Sequence, residues 1–402
     1  MEHLTRYINS NLDGKTLAGK LLVFILFPIA SVIWSFFDIR KRSSQIILFL
    51  YAALIGYCFT LNEATEYDSL RYVDVFDNIQ LTFFVDFAEW ITYSSSIKDF
   101  YLHTLSYVVS SFTSNYHFLF LAASLVFSFF CLKCLNFLTS QNEFKQNIPC
   151  ICAVFLFFLS NSIININGFR FWTATWYVLW CTFNLIILEK RKFVIFLPFA
   201  VFFHSSMWAY CFIVVIYFLT RKNIKFWLIL ASVSIFISSL SILLLQNIES
   251  YLPEIFQRTI DKYAGDEYIK FRNSGTGWIW LENLFNIAQI AYALFVIFII
   301  SRKSRFNKLN QAQRNLFVFT LILYSFSLFT YSIPSFGSRF ISMVYPLLSY
   351  FLIRFNNDKK IYKASIYIPM VWSFTALYTF LKMYLPLLPS GFFYSSLFSL
   401  IS

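Results

Sequence analysis

Lys20 is followed by seventeen residues without a charge, LLVFILFPIASVIWSFF, before Asp38, and residues 44–62 are again uncharged. Each run approaches the roughly 20 residues that cross a bilayer core of about 30 Å. Hydrocarbon offers no partner to an unpaired N–H or C=O, so such runs have to be helices. Strands of a membrane barrel alternate over about ten residues, and these do not. Twelve stretches fit the pattern: 20–38, 44–62, 116–137, 148–164, 169–188, 193–204, 206–220, 226–245, 278–300, 314–333, 340–355 and 361–381. Residues 193–220 read equally as one tight or re-entrant hairpin. The tail 384–402 is apolar but interrupted by Pro386, Pro389 and Gly391, and reads as a dip into the membrane or a thirteenth span. The expected fold is all-α and polytopic, a single membrane domain over 1–402 with about 12 spans (11–13). Its two long connections are 63–115, with an amphipathic segment, and 246–277. The first block has no small-residue cleavage site before its charged flank and reads as a retained helix. Composition agrees: 58% of residues are hydrophobic and 13% charged, against about 25% charged in soluble domains.

The net charge of +12 could suggest nucleic acid, but its distribution says otherwise. Alternate connections are basic. One set holds 20 of the 32 Lys and Arg residues, in groups at 40–42, 133 and 145, 190–192, 221–225, 302–314 and 354–363, with four acids, Asp38, Glu143, Glu189 and Asp358. The other set and both termini carry the remaining bases with 16 acids. Lys and Arg in short loops mark the cytoplasmic side. Both long connections, and the turns at 165–170 and 334–339, then fall outside. Long loops are where function concentrates.

Seven cysteines include Cys131-x-x-Cys134 inside an apolar helix, without a second pair at zinc spacing. They read as packing residues, because zinc needs four converging ligands. The chain has no Walker A loop, HExxH or GxSxG, and its outer connections have no DxD. Nothing points to ATP or a nucleotide sugar.

Candidate chemistry gathers on the outer side. After the second span comes Glu63-Ala-Thr-Glu66-Tyr67-Asp68-Ser-Leu-Arg71-Tyr72. Its carboxylates can hold a sugar hydroxyl or take its proton; a solvated loop with a local ion pair is the other reading. Asn167-Gly168-Phe169-Arg170-Phe171-Trp172 puts an arginine at a span boundary, where a charge is costly unless it works or snorkels. Its planar fork suits phosphate oxygens, and Gly168 allows a tight turn or close approach. His204, in Phe203-His204-Ser205-Ser206, is a phosphate ligand, an acid or base, or a histidine satisfied at a helix break. Gly337-Ser338-Arg339-Phe340 adds another boundary arginine, and Arg258 and Arg272 lie in the second long connection. Such arginines are either membrane anchors or, converging, a cradle for pyrophosphate.

Taken in order, these segments resemble the EpsG branch of the Wzy polysaccharide polymerases. The acidic Asp68…Tyr72…Phe76 stretch, the segment 99–113 before a span, the "N-G-I-R-x-x-x-A" pattern at 167–174, the "F-H-x-S" turn at 203–206 and the late "R-F" at 339–340 all match over most of 20–355. The pattern's glutamine after the arginine is replaced by Phe171. The resemblance implies a membrane glycosyltransferase of GT-C-like architecture in the bacterial cytoplasmic membrane, active on its outer face and needing no metal. Donor and acceptor would be oligosaccharide repeat units on undecaprenyl pyrophosphate. The growing chain would pass to the non-reducing end of the next unit, alongside a flippase and a chain-length regulator of the same pathway. Under that reading Arg170 and Arg339 stabilise the departing pyrophosphate, supplemented by Arg258 or Arg272. Asp68, Glu66 and His204, in that order, are candidates for receiving the acceptor's proton. Arg71, Tyr72, Asn167 and Trp172 would help hold substrate. An O-antigen ligase, a lipid-linked oligosaccharide flippase and a structural membrane subunit stay open as rivals, although uncharged helix interiors fit transport poorly.

Overall fold

The computed structural model describes residues 2–61, 68–81, 100–251, 257, 279–333, 335–381 and 385–401. Every regular element among them is helical. Among the described residues, four stretches are long and apolar enough to cross a membrane: Tyr116–Thr139, Ile148–Ile187, Asn283–Ser301 and Gln311–Phe329. The chain is a membrane protein built around these. Tyr116–Thr139 alone rises about 36 Å.

Local signals set the helix ends. The side chain of Asn115 accepts from His117 N at 2.9 Å, and that of Asn147 from Cys150 N at 3.2 Å. Asn310 and Gln313 form a reciprocal capping box that starts Gln311–Phe329. Other runs read as single spans are broken. Residues 226–245 form Ile224–Val233 and Ser239–Ile248 with turns between them, and 340–355 form Gly337–Ser342 and Val344–Arg354.

The expected first span, 20–38, is overturned. The backbone breaks at Phe27 ahead of Pro28, where proline lacks an N–H and disfavours helix in the residue before it. The chain then folds back. The Lys20 ammonium reaches Asp38 Oδ1 at 2.5 Å and Ser44 Oγ at 2.6 Å, and Ser31 Oγ donates to Lys20 O. Both ends of the run therefore lie at one end of the bundle, so the run is a helical hairpin. The tail is not a thirteenth span: its described helices are Leu385–Leu387 and Leu397–Ile401. It packs on Arg42–Tyr57, where Leu387 O accepts from Thr60 N at 2.9 Å and Phe392 tilts against Tyr51.

The core lies where Tyr116–Thr139, Ile148–Ser160, Phe169–Thr182, Gln311–Phe329 and Val344–Arg354 meet. Trp176 is fully buried between Phe127 and Phe157. Cys131 and Cys134 are buried in the same core, with Cys134 Sγ set against Trp176 O. At Gly56 the backbones of Arg42–Tyr57 and Tyr116–Thr139 come so close that a Cβ would strike Ser124 and the Phe120 carbonyl.

The basic connections share one end of the bundle. Arg354 pairs with Glu143 at 2.8 Å, Lys145 donates to Asn357 at 3.1 Å, and Gln146 donates to Phe36 O at 3.0 Å. Arg305 grips Asp358 through two bonds of 2.9 Å. Helix Ile148–Ser160 leaves this basic end, and helix Phe169–Thr182 returns antiparallel beside it, with Phe157 against Trp176 and Asn161 donating to Trp172 O. The turn between them therefore marks the opposite end.

Candidate functional site

The turn at that opposite end is a 3₁₀ segment, Ile163–Gly168, leading into Phe169–Thr182. Asn161 and Asn165 brace it through a 3.3 Å side-chain bond. Gly168 has φ −118°, which any residue adopts, and a Cβ there would only touch the Trp172 ring at 3.4 Å. The special turn expected of this glycine is absent. Asn167 instead reaches sideways: its Oδ1 accepts from Ser69 N at 3.2 Å. That bond satisfies one of the free N–H groups at the start of helix Asp68–Leu81 and fixes this helix over the turn.

Tyr72 follows one turn along the helix and is buried, its ring packed on Phe169 with centroids 4.7 Å apart. Arg170 Nε donates to Tyr72 Oη at 3.1 Å, and the guanidinium lies 5.0 Å from the ring centroid. Asp68 is half-buried, with exposed Arg71 at 3.6 Å.

Phe171, noted in the sequence only as standing in place of a glutamine, forms the centre of the arrangement. The Arg339 guanidinium lies 5.4 Å from its centroid, and the His204 ring meets it edge-on at 5.4 Å. Arg339 is delivered by the short helix Gly337–Ser342. A Cβ on Gly337 would lie 2.5 Å from Ser327 O and 2.6 Å from the Tyr331 backbone. Phe336 and Phe340 tilt against each other beside it and meet Phe326 edge-on. The signal that could have found Phe171 is its position directly after Arg170.

His204 lies in the turn between Phe193–Phe203 and Met207–Thr220, outside both helices. Burial first, then the positive fields of Arg170 and Arg339, hold its imidazole well below the ordinary histidine value. The backbone N–H of Ser206 donates to its Nδ1 at 3.2 Å, with Ser206 Oγ at 2.8 Å. A backbone N–H can only donate, so Nδ1 is the unprotonated nitrogen and Nε2 carries the proton. Neutral His204 thus presents a donor. Of the readings open for His204, this geometry fits a donor to phosphate, and Asp68 is the described carboxylate among the candidates for the acceptor's proton. Burial likewise raises the Tyr72 phenol, with Arg170 opposing, which keeps it protonated.

The fields of Arg170 and Arg339 are felt together at both His204 and Tyr72. Eight candidates therefore share one neighbourhood: Asp68, Arg71, Tyr72, Asn167, Arg170, Trp172, His204 and Arg339. Glu66, Arg258 and Arg272 lie outside the described residues. On the far side of helix Gly337–Ser342 is a space of about 170 Å³, lined by Asn286, Gln289, Ser338, Tyr345 and Trp372 among others, without a charged side chain. Two fixed cations, a neutral imidazole donor, a phenol and a carboxylate can bind a phosphoryl group and activate a hydroxyl beside it.

No curated protein and no solved structure matches the chain. The EpsG family profile matches residues 45–394 of the 402, and the chain belongs to the EpsG family.

Proposed function

We propose that this protein polymerises lipid-linked oligosaccharide repeat units. It would transfer the growing glycan from undecaprenyl pyrophosphate to the non-reducing end of the next lipid-linked unit, in the synthesis of an O-antigen, capsule or exopolysaccharide. The observation that carries this is that Arg170 and Arg339 both act on the buried, neutral His204, with Arg339 and His204 set on the Phe171 ring. The basic end would face the cytoplasm, which puts the arginine pair on the extracytoplasmic side of the bacterial cytoplasmic membrane.

In the reaction, the bond from the donor's anomeric carbon to the pyrophosphate oxygen breaks, and its electron pair leaves with the pyrophosphate. Arg170 and Arg339 neutralise the charge that develops there, and His204 Nε2–H donates to one of its oxygens. These contacts strengthen as the bond breaks, so they stabilise the transition state more than the bound substrate. The acceptor hydroxyl oxygen bonds to the anomeric carbon, and its proton passes to the Asp68 carboxylate. Glu66, Arg258 and Arg272 remain substrate-binding candidates.

The test is deletion of the gene in its host, with wild-type, Arg170→Ala and Arg339→Ala copies returned. The surface polysaccharide ladder should collapse to a single repeat unit and be restored only by the wild-type copy. Full-length polymer from both variants at normal protein levels would sink the mechanism. Loss of even the single-unit band would point instead to a flippase or ligase.

A further inference from the structure

The seam between Met207–Thr220, Ile224–Val233 and Gln311–Phe329 has a consistent polarity along its length, and the polymerase reading does not use it. At the basic end it opens into a space of about 490 Å³ whose lining includes Arg221, Lys222 and Arg314, with the amides of Gln311 and Asn315. Among the described residues, no carboxylate lines it. Three of the four acids of that end are engaged elsewhere: Asp38 with Lys20 and Lys41, Glu143 with Arg354, and Asp358 with Arg305. Arg314 lies over the Phe306 ring and donates from Nη2 to Asn307 O, while its buried Nε has no partner.

The seam then becomes apolar. A groove of about 590 Å³ runs on between these helices and Ser239–Ile248, walled by Trp227, Leu230, Leu244, Ile322, Phe326 and Phe329 among others, with only scattered hydroxyls. Its wall continues one face of the long helix, since 311, 314, 315 and 318 line the basic space and 322, 325, 326 and 329 line the groove. This is the 3–4 spacing of a single helical stripe. From Arg314 to Phe329 the helix rises about 22 Å, more than the ~15 Å of one leaflet's hydrocarbon.

We propose that this seam holds an anionic glycerophospholipid of the leaflet at the basic end. Its phosphate sits among Arg221, Lys222 and Arg314, and an acyl chain lies along the groove. The occupant must be anionic at one end and hydrocarbon along the rest, in the direction in which the seam changes. Basic pockets between membrane helices recognise acidic headgroups in this way. A polyprenyl pyrophosphate bound for the arginine pair would have its charge at the wrong end of this groove.

The full-length protein, stripped of lipid in mild detergent, is titrated with phosphatidylglycerol or phosphatidylcholine of matched chains, and retained lipid is counted by native mass spectrometry. The wild type should prefer phosphatidylglycerol. Arg221→Ala with Arg314→Ala should lower that preference about ten- to thirtyfold, from about 1 kcal/mol for each cation near an anionic surface. Leu230→Trp should fill the groove and weaken retention of both lipids. Should the double variant fail to fold, exposed Lys222→Gln serves, with a reduced thermal shift on adding phosphatidylglycerol as the readout. Equal retention of the two lipids by the wild type overturns the proposal, as does an unchanged preference in the variants. Displacement by inorganic phosphate would assign the pocket to a free anion. Displacement by undecaprenyl phosphate that survives loss of the cations would assign the groove to the prenyl chain. Either also overturns the phospholipid.

Discussion

Arg170 and Tyr72 are 98 residues apart in sequence and joined by one hydrogen bond, Arg170 Nε to Tyr72 Oη at 3.1 Å. The bond aims the guanidinium: with Nε committed to a buried phenol, the remaining N–H groups of the fork keep a fixed direction. Removing the hydroxyl in Tyr72→Phe keeps the ring on Phe169 and takes this one bond from the fork. A hydrogen bond to a charged group is worth about 1.5–3 kcal/mol. The variant should therefore polymerise about ten- to a hundredfold more slowly at normal membrane abundance, measured as conversion of lipid-linked units in isolated membranes. Wild-type rates would show that this bond does not orient Arg170.

Arg339 depends on a different device. Its helix lies so close to Ser327 and Tyr331 that position 337 has no room for a side chain, and the obstructing atoms are backbone. Gly337→Ala must push helix Gly337–Ser342 outward and lift Arg339 from Phe171. The expected result is loss of most polymer with the protein still in the membrane. Gly14→Ala, where a Cβ would meet nothing within 4 Å, should retain full-length chains. If Gly337→Ala also makes full-length polymer, the position of Arg339 is not critical.

Much of this site was legible because its residues break the chain's dominant pattern. Arg170, His204 and Arg339 are polar residues at the ends of apolar runs, and a membrane makes such residues conspicuous. The clustering of the basic connections was readable for the same reason. Other features were not. The run from Lys20 to Asp38 has the length and composition of a span, and only the backbone shows that it turns at Phe27 to bring its charged ends together. Phe171 is one aromatic among 53 phenylalanines, so nothing in its type marks it as the ring between Arg339 and His204. Which nitrogen of His204 carries the proton depends on the Ser206 backbone, a matter of turn geometry that residue types do not encode.

The tautomer of His204 has a kinetic consequence. Its imidazole is held well below the ordinary histidine range by burial and two arginines, so it remains neutral through pH 6–8. The polymerisation rate should show no inflection from this residue there. In the proposed mechanism His204 donates from Nε2, so His204→Gln, whose amide can also donate, should retain part of the activity that His204→Ala loses. An acidic limb near pH 6.5 that vanishes in His204→Gln would show that the imidazole titrates, and the donor assignment would fall.

At the basic end, Arg305 holds Asp358 through two bonds of 2.9 Å and donates a third from Nη1 to Ile299 O. Burial pushes the Asp358 carboxyl up, but Arg305 and the N–H groups of Lys360 and Ile361 outweigh it, so the carboxyl stays below its usual value. A depressed carboxyl contributes stability above its unfolded value of about 3.9, and this is lost as pH falls through the folded value. Asp358 also caps helix Lys359–Ile366, so the pair joins two connections and a helix start. Arg305→Ala should cost about 1–3 kcal/mol, partly offset because Asp358 keeps some contact with solvent. The difference in Tm between wild type and variant in detergent should be constant from pH 5 to 8 and shrink below pH 4. A difference that persists undiminished at pH 3 would mean that Arg305 stabilises the fold through its packing and its bond to Ile299, and that the carboxylate contributes little.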